Sequence, residues 1–167
     1  QEDRVVFCNN TYAAMTGYSV DEILHLSPEQ LASLVHPDDR PGIAERFRAQ
    51  LEGKSIDPRF EFRGFKRDGS IIWIEAYAST IEYNGKSALQ SVYMDITERK
   101  KAENALRESE ERFRLIAETI DEIFWIVDEN ETGAIYLSPA YDRIWGYPRE
   151  QVVNNSDPFM MDMVHPD

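Results

Sequence analysis

Polar and apolar residues alternate from Pro58 onward, with Phe60, Phe62 and Gly64 on one side of the chain and Glu61, Arg63 and Phe65 on the other. A period of two is that of a strand with one buried face. Lys66-Arg67-Asp68-Gly69 and Tyr83-Asn84-Gly85 interrupt the pattern with Asp-Gly and Asn-Gly pairs, which tolerate the positive φ of a tight hairpin. Three antiparallel strands are expected, over about 58–66, 70–83 and 86–96. Upstream the spacing is helical. Asn10 can cap a short helix closed by Gly17, Ser19-Val20-Asp21-Glu22 spells a capping box, and Ser27-Pro28-Glu29-Gln30 repeats that start signal. Asp38 is expected to cap a longer helix running to about Leu51, with Gly53 as its stop. Val5-Val6-Phe7, ahead of all of these, reads as a short strand.

Residues 97–121 carry six basic and seven acidic side chains with no glycine or proline, the pattern of a solvent-bathed linker helix. Ala102, Leu106, Ser109, Phe113, Ile116 and Ile120, all apolar but the serine, are spaced 4, 3, 4, 3, 4. That alternation is a coiled-coil seam and predicts a partner helix, hence a homodimer, although a single amphipathic helix lying on its own domain has the same short pattern. Glu103 with Arg107, Glu108 with Arg112 and Glu110 with Arg114 are expected to pair one turn apart.

The chain has 167 residues, enough for one or two small domains. A formal charge of −13 and a pI near 4.6 would repel a phosphate backbone or an anionic lipid surface, so neither nucleic acid nor direct membrane contact is expected. The single cysteine, Cys8, cannot form an internal disulfide or a multi-thiolate metal site, which suits the cytoplasm and leaves open whether another part of the parent protein is membrane-anchored. The longest apolar run, Ile123 to Val127, is far short of the roughly 20 residues of a spanning helix. Three histidines (His25, His36 and His165), no glycine-rich phosphate loop and no serine, histidine and aspartate set argue against catalysis by these residues.

Sliding the chain against itself by 129 positions aligns seven identities: Tyr12, Gly17 and Tyr18 with Tyr141, Gly146 and Tyr147, and Val35-His36-Pro37-Asp38 with Val164-His165-Pro166-Asp167. Two tandem copies of one domain follow. The first spans 1–96 and lacks a strand that the second has at Ile123 to Val127; 97–121 is the linker helix; 122–167 is the N-terminal part of the second copy. Both copies are therefore expected to extend beyond this chain.

The ordered series Asn10-x-Tyr12, Gly17-Tyr18-Ser19, Val35-His36-Pro37-Asp38-Asp39, Lys66-Arg67-Asp68-Gly69, Trp73-Ile74-Glu75, Asn84-Gly85-Lys86 and Asp95-Ile96-Thr97-Glu98-Arg99 resembles the PAS family with its C-terminal PAC motif. The resemblance implies an α+β fold: a five-stranded antiparallel sheet in the order 2-1-5-4-3 with helices over one face enclosing a cavity. It also implies a sensory input module of a multidomain signalling protein, a sensor histidine kinase or a diguanylate cyclase, with the effector downstream in the same chain. The other reading is a ligand-free dimerisation and relay module. In the implied order the absent first strand is central, so strand two would stand unpaired. It could come from upstream, or Phe124 to Val127 of the second copy could complete the first sheet, which requires the Trp125 backbone to bond outside its own copy.

Period two then assigns the faces. Phe60, Phe62, Ile72, Ile74, Ala76, Leu89 and Tyr93 point to the implied cavity, an apolar and aromatic lining suited to a filled core or to a small apolar or aromatic ligand. Flavin-binding relatives carry a cysteine after the Gly-Tyr helix and amides on the strands. Here Ile23-Leu24-His25-Leu26-Ser27 has no cysteine, and the amide positions fall on Gly64, Ile74 and Tyr93, so no flavin is expected. His36 reads as a turn-packing residue rather than a haem or metal ligand. Asp95, Thr97 and Arg99 form the expected signal junction, Asp95 accepting helix amides or pairing with Arg99. Trp73 and Tyr77, beside Phe65, Glu75, Val92 and Met94, make the outer sheet face an expected dimer or relay surface, continued by Leu106, Phe113, Ile116 and Ile120.

Overall fold

The computed structural model describes residues 4–127, 134–151 and 153. The chain divides into two compact units, Gln1–Glu103 and Asn104–Asp167. In the first, α1 (Asn10–Thr16), α2 (Val20–Leu24), α3 (Pro28–Ser33) and α4 (Arg40–Leu51) precede β1 (Arg59–Phe65), β2 (Ile71–Tyr83) and β3 (Lys86–Asp95). Helix α5 (Thr97–Thr119) follows and carries the boundary between the units. The second unit continues with β4 (Trp125–Val127), β5 (Ala134–Leu137), α6 (Ala140–Trp145) and a 3₁₀ turn at Arg149–Gln151.

The three strands form an antiparallel sheet in the order β1-β2-β3, within about a residue of the expected limits. Asn84 (φ 52°) and Gly85 (φ 71°) make the left-handed pair that the Asn-Gly turn requires. At the other hairpin Asp68 accepts the Ser70 amide at 2.9 Å and Gly69 takes φ 83°. The expected strand at Val5–Phe7 does not form. Residues 4–9 have no regular structure and Phe7 is exposed, because no described strand lies beside them to satisfy their backbone groups.

Both capping boxes close: Ser19 Oγ accepts from Glu22 N while Glu22 Oε2 accepts from Ser19 N, and Ser27 with Gln30 does the same. Two expected caps shift. Asn9, not Asn10, caps α1, its Oδ1 accepting Tyr12 N at 2.9 Å. Asp38 does not cap α4. The helix starts at Arg40 without a side-chain cap, because the Asp38 and Asp39 carboxylates turn to Arg63 of β1. Asp39 Oδ2 accepts the Arg63 amide at 2.8 Å and its Nε at 3.0 Å. Beside this clamp, Phe65 N donates to Leu34 O (2.7 Å), His36 N donates to Arg63 O (2.8 Å), and Val35 bridges Gly64. The segment from Leu34 to His36 thus covers the outer edge of β1 from Arg63 to Phe65. His36 stacks on Phe65 with ring centroids 5.6 Å apart, a packing role.

The core of the first unit lies between α4 and the inner sheet face: Ile43 packs with Phe62, Ile72, Ile74 and Ala76. In the second unit, β4 pairs with β5, placing Trp125 opposite Leu137. Since Trp125 pairs within its own copy, Phe124 to Val127 does not complete the first sheet. Ser138 Oγ accepts Phe124 N and donates to Glu122 O, and Leu137 and Tyr141 pack with Ile123 and Val153. The second Val-His-Pro-Asp string, at 164–167, lies outside the described residues.

None of the three expected ion pairs on α5 forms. Arg99 with Glu103, Arg107 with Glu111 and Arg114 with Glu118 run in the opposite order. These three arginines lean toward carboxylates one turn ahead instead of one turn behind.

Candidate functional site

Two faces of one sheet meet at the start of α5. On the inner face, Phe62 stacks on Phe60 (5.9 Å) and meets Tyr93 edge-on (6.2 Å), while Tyr12 of α1 closes on Tyr93 at 5.1 Å. Burial pushes the hydroxyls of Tyr12 and Tyr93 above their ordinary pKa. Of the seven expected lining residues, Phe60, Phe62, Ile72, Ile74, Ala76 and Tyr93 come together; Leu89, opposite Thr80 nearer the hairpin, is half-buried and stands outside the cluster. The helix side of the cluster, Met15, Val35, Ile43 and Phe47, escaped the sequence reading, although Ile43 and Phe47 are one turn apart on α4. Gly64 is closely packed: a Cβ there would lie 3.1 Å from Ile74 Cδ1 and 3.3 Å from the Leu34 carbonyl oxygen. A surface depression of about 350 Å³ lies elsewhere, over Ala14, Gly17, Lys66, Arg67 and Asp68.

The junction is built from backbone and side-chain bonds to β2. Ile96 N donates to Trp73 O at 2.9 Å, and Trp73 N donates to Thr97 Oγ1 at 3.0 Å. Asp95 Oδ1 accepts Thr97 N at 2.9 Å and its other oxygen lies 3.9 Å from Lys66 Nζ. Asp95 therefore caps the helix, but its cation is Lys66 rather than Arg99. Arg99 reaches Glu61 Oε1 at 2.7 Å and Glu75 Oε1 at 3.3 Å.

The outer face is more polar than its apolar count predicts. Glu75 is buried, 5% exposed, and Arg59 donates to its Oε1 through Nε (2.9 Å) and Nη2. Hydrogen bonding to Arg59 holds the Glu75 carboxyl below the usual carboxylate range, against the upward push of burial. Lys100 and Arg63 both lie over the half-buried Trp73 ring, 5.4 and 5.9 Å from its centroid. Tyr77, Val92 and Met94 remain exposed, as do Leu106, Phe113 and Ile116 on α5, and Ile120 is half-buried. Within the second unit, Phe113 makes ring contacts with Phe124 and Tyr136. Arg59, Glu61 and Lys100 were not expected in a site: their partners lie 16 to 39 positions away and leave no periodic trace.

Among the described residues no cluster of three or more histidine, cysteine, aspartate or glutamate side chains could hold a metal ion, and no helix is long and apolar enough to cross a membrane.

A three-stranded antiparallel sheet with helices packed on one face and a helix leaving its last strand defines the class, and residues 5–93 match the family described as PAS fold. The chain belongs to that family. It is 31% identical over 159 residues to the uncharacterized protein y4lL of Sinorhizobium fredii, covering 91% of this chain and 18% of that protein. It is 30% identical over 133 residues to the sensor protein FixL of Bradyrhizobium diazoefficiens, covering 77% of this chain and 26% of that one. A sensory box histidine kinase/response regulator from Burkholderia thailandensis, known by crystal structure, is 30% identical with a TM-score of 0.48, over 64% of this chain and 79% of that chain. The chain spans about a fifth to a quarter of the length of the two curated relatives.

Proposed function

We propose that this chain is a non-catalytic, cytoplasmic signal-sensing module of a multidomain sensor histidine kinase. Residues 1–96 are a PAS domain with its PAC motif, 97–121 the linker helix and 122–167 the start of a second, tandem copy. One observation carries the reading. Ile74 of the inner face is the cross-strand partner of Asp95, and its neighbour Trp73 bonds Ile96 and Thr97 through its backbone. A displacement at the inner face is thus applied directly to the first residues of α5, with no intervening loop.

The stimulus is a small apolar or aromatic molecule, or a packing change, received by Phe60, Phe62, Ile72, Ile74, Ala76 and Tyr93. Flavin and haem are disfavoured: by resemblance Gly64, Ile74 and Tyr93 take the positions of the amides that contact a flavin ring, and the His36 ring stacks on Phe65. Asp95, Thr97 and Arg99 pass the displacement on. Trp73 and Tyr77 on the sheet, and separately Leu106, Phe113, Ile116 and Ile120 on α5, are the relay residues of a homodimer, and the effector follows in the same chain. Native mass spectrometry with an absorption spectrum on the purified chain tests the reading. A dimer with a substoichiometric or stoichiometric added small-molecule mass and no visible absorbance is expected. A coloured cofactor, or an empty monomer at every concentration, refutes it.

A further inference from the structure

Glu61 and Glu75 are direct cross-strand partners on the outer face of β1 and β2. Opposed carboxylates repel, and one of these is buried, so the sheet by itself is electrostatically incomplete. Arg59 supplies Glu75 from within the sheet. The partners of Glu61 both come from the first turn of α5: Arg99 Nη2 at 2.7 Å on one oxygen and Lys100 Nζ at 2.6 Å on the other. Arg99 Nη2 also lies 3.3 Å from Glu75, so a single guanidinium spans both carboxylates. Glu103, one turn on, approaches Arg99 at 3.9 Å and Lys100 at 3.6 Å. The three carboxylates and three cations balance; without the helix residues the sheet retains Glu61, Glu75 and Arg59, with one uncompensated negative charge.

We infer that the Glu61–Glu75 pair is a charge socket that docks the first turn of α5 on the sheet and sets how readily that turn lifts away. Undocking strands no bare charge in the interior. Arg59 stays on Glu75, and Glu61, whose side chain is 30% exposed, rehydrates. The Asp95 cap and the Trp73–Thr97 bond lie just before the socket and act as the pivot. Because the socket is partly open to solvent, mobile ions compete with it and its hold weakens with salt. The inference rests on the reading of α5 as the outgoing element and names the charges that restrain it.

Amide hydrogen exchange on the whole chain tests this without any effector, so it can fail while the sensory reading stands, and the reverse. The variants are Glu61→Gln, Arg99→Gln and the double substitution, each at about 50 mM and about 500 mM salt. In the low-salt buffer Glu61→Gln should speed exchange over residues 100–103 by about tenfold and leave β2 amides such as Ile74 unchanged. High salt should remove the difference, and the double variant should be no faster than the faster single one. Unchanged rates over 100–103, or an equal rise across β1 and β2, would overturn the inference. Should Glu61→Gln not fold, Lys100→Gln, on the helix side, decides by the same two criteria.

Discussion

Replacing Gly64 by alanine adds one methyl group at the tightest point between the sheet and the helical layer. The new Cβ would meet Ile74 Cδ1 at 3.1 Å, the Leu34 carbonyl oxygen at 3.3 Å and Ile72 Cγ2 at 3.4 Å. The Ile74 methyl group is the end of a side chain and can turn. The Leu34 carbonyl cannot withdraw, since Phe65 N holds it at 2.7 Å and Val35 bridges Gly64 itself. Overpacking of this kind costs about 1–3 kcal/mol. The reduced freedom of the unfolded chain returns about 0.4–1 kcal/mol. A net loss of about 1 kcal/mol is expected, read as a lower urea midpoint at unchanged slope. Ile74→Val removes the nearest methyl group, so its cost, about 0.5–1.5 kcal/mol in the native background, should shrink when Gly64→Ala is already present. A Gly64→Ala protein as stable as the parent, or strict additivity in the cycle, would refute the steric argument.

Phe62→Ala, in the aromatic cluster of the inner face, should cost about 3–5 kcal/mol by thermal or urea unfolding; a loss under about 1 kcal/mol would mean that the cluster is loosely packed. Hydrogen bonding to Arg63 depresses the pKa of Asp39, so this pair stabilises the fold above the ordinary carboxylate pKa and loses that contribution as pH falls through the lowered value. The stability gap between the parent and Arg63→Gln should accordingly be flat above about pH 5 and narrow below about pH 4, and a gap that widens in acid would contradict the sign. Ser19→Ala, which opens a complete capping box, should cost about 0.5–2 kcal/mol, whereas Ser19→Asp should restore most of it. Sedimentation should find a concentration-dependent dimer that Leu106→Glu converts to monomer; a parent chain that never dimerises would sink the seam.

The strands and their register were legible because both signals are local: side chains alternate along one segment, and Asn84-Gly85 and Asp68-Gly69 declare their own turns. Ser19 and Ser27 were legible for the same reason, since their partners stand three residues on. Asp38 and Asp39 were not. Their signature is that of a cap, yet Arg63, some two dozen positions later, offers a bidentate charge-assisted partner that a helix amide cannot match. The same distance hid the socket, for nothing in the spacing of Arg59, Glu61, Glu75 and Arg99 reveals that two strands and a helix bring them together. Val5-Val6-Phe7 has the composition of a strand, but a strand is a property of a pair, and no described neighbour is there to make one.

The segment from Leu34 to His36 makes the sheet one-sided in its capacity to grow. With the end of β1 from Arg63 to Phe65 covered by Leu34 to His36, the backbone of β3 is the open border among the described residues, where a further strand would add beside residues 86–95. That border ends at Asp95, one residue before the start of α5 is tied to β2, so a strand joining the sheet would lie against the segment that holds the helix. A strand added there would run up to the bonds by which Ile96 and Thr97 hold the start of the helix to β2.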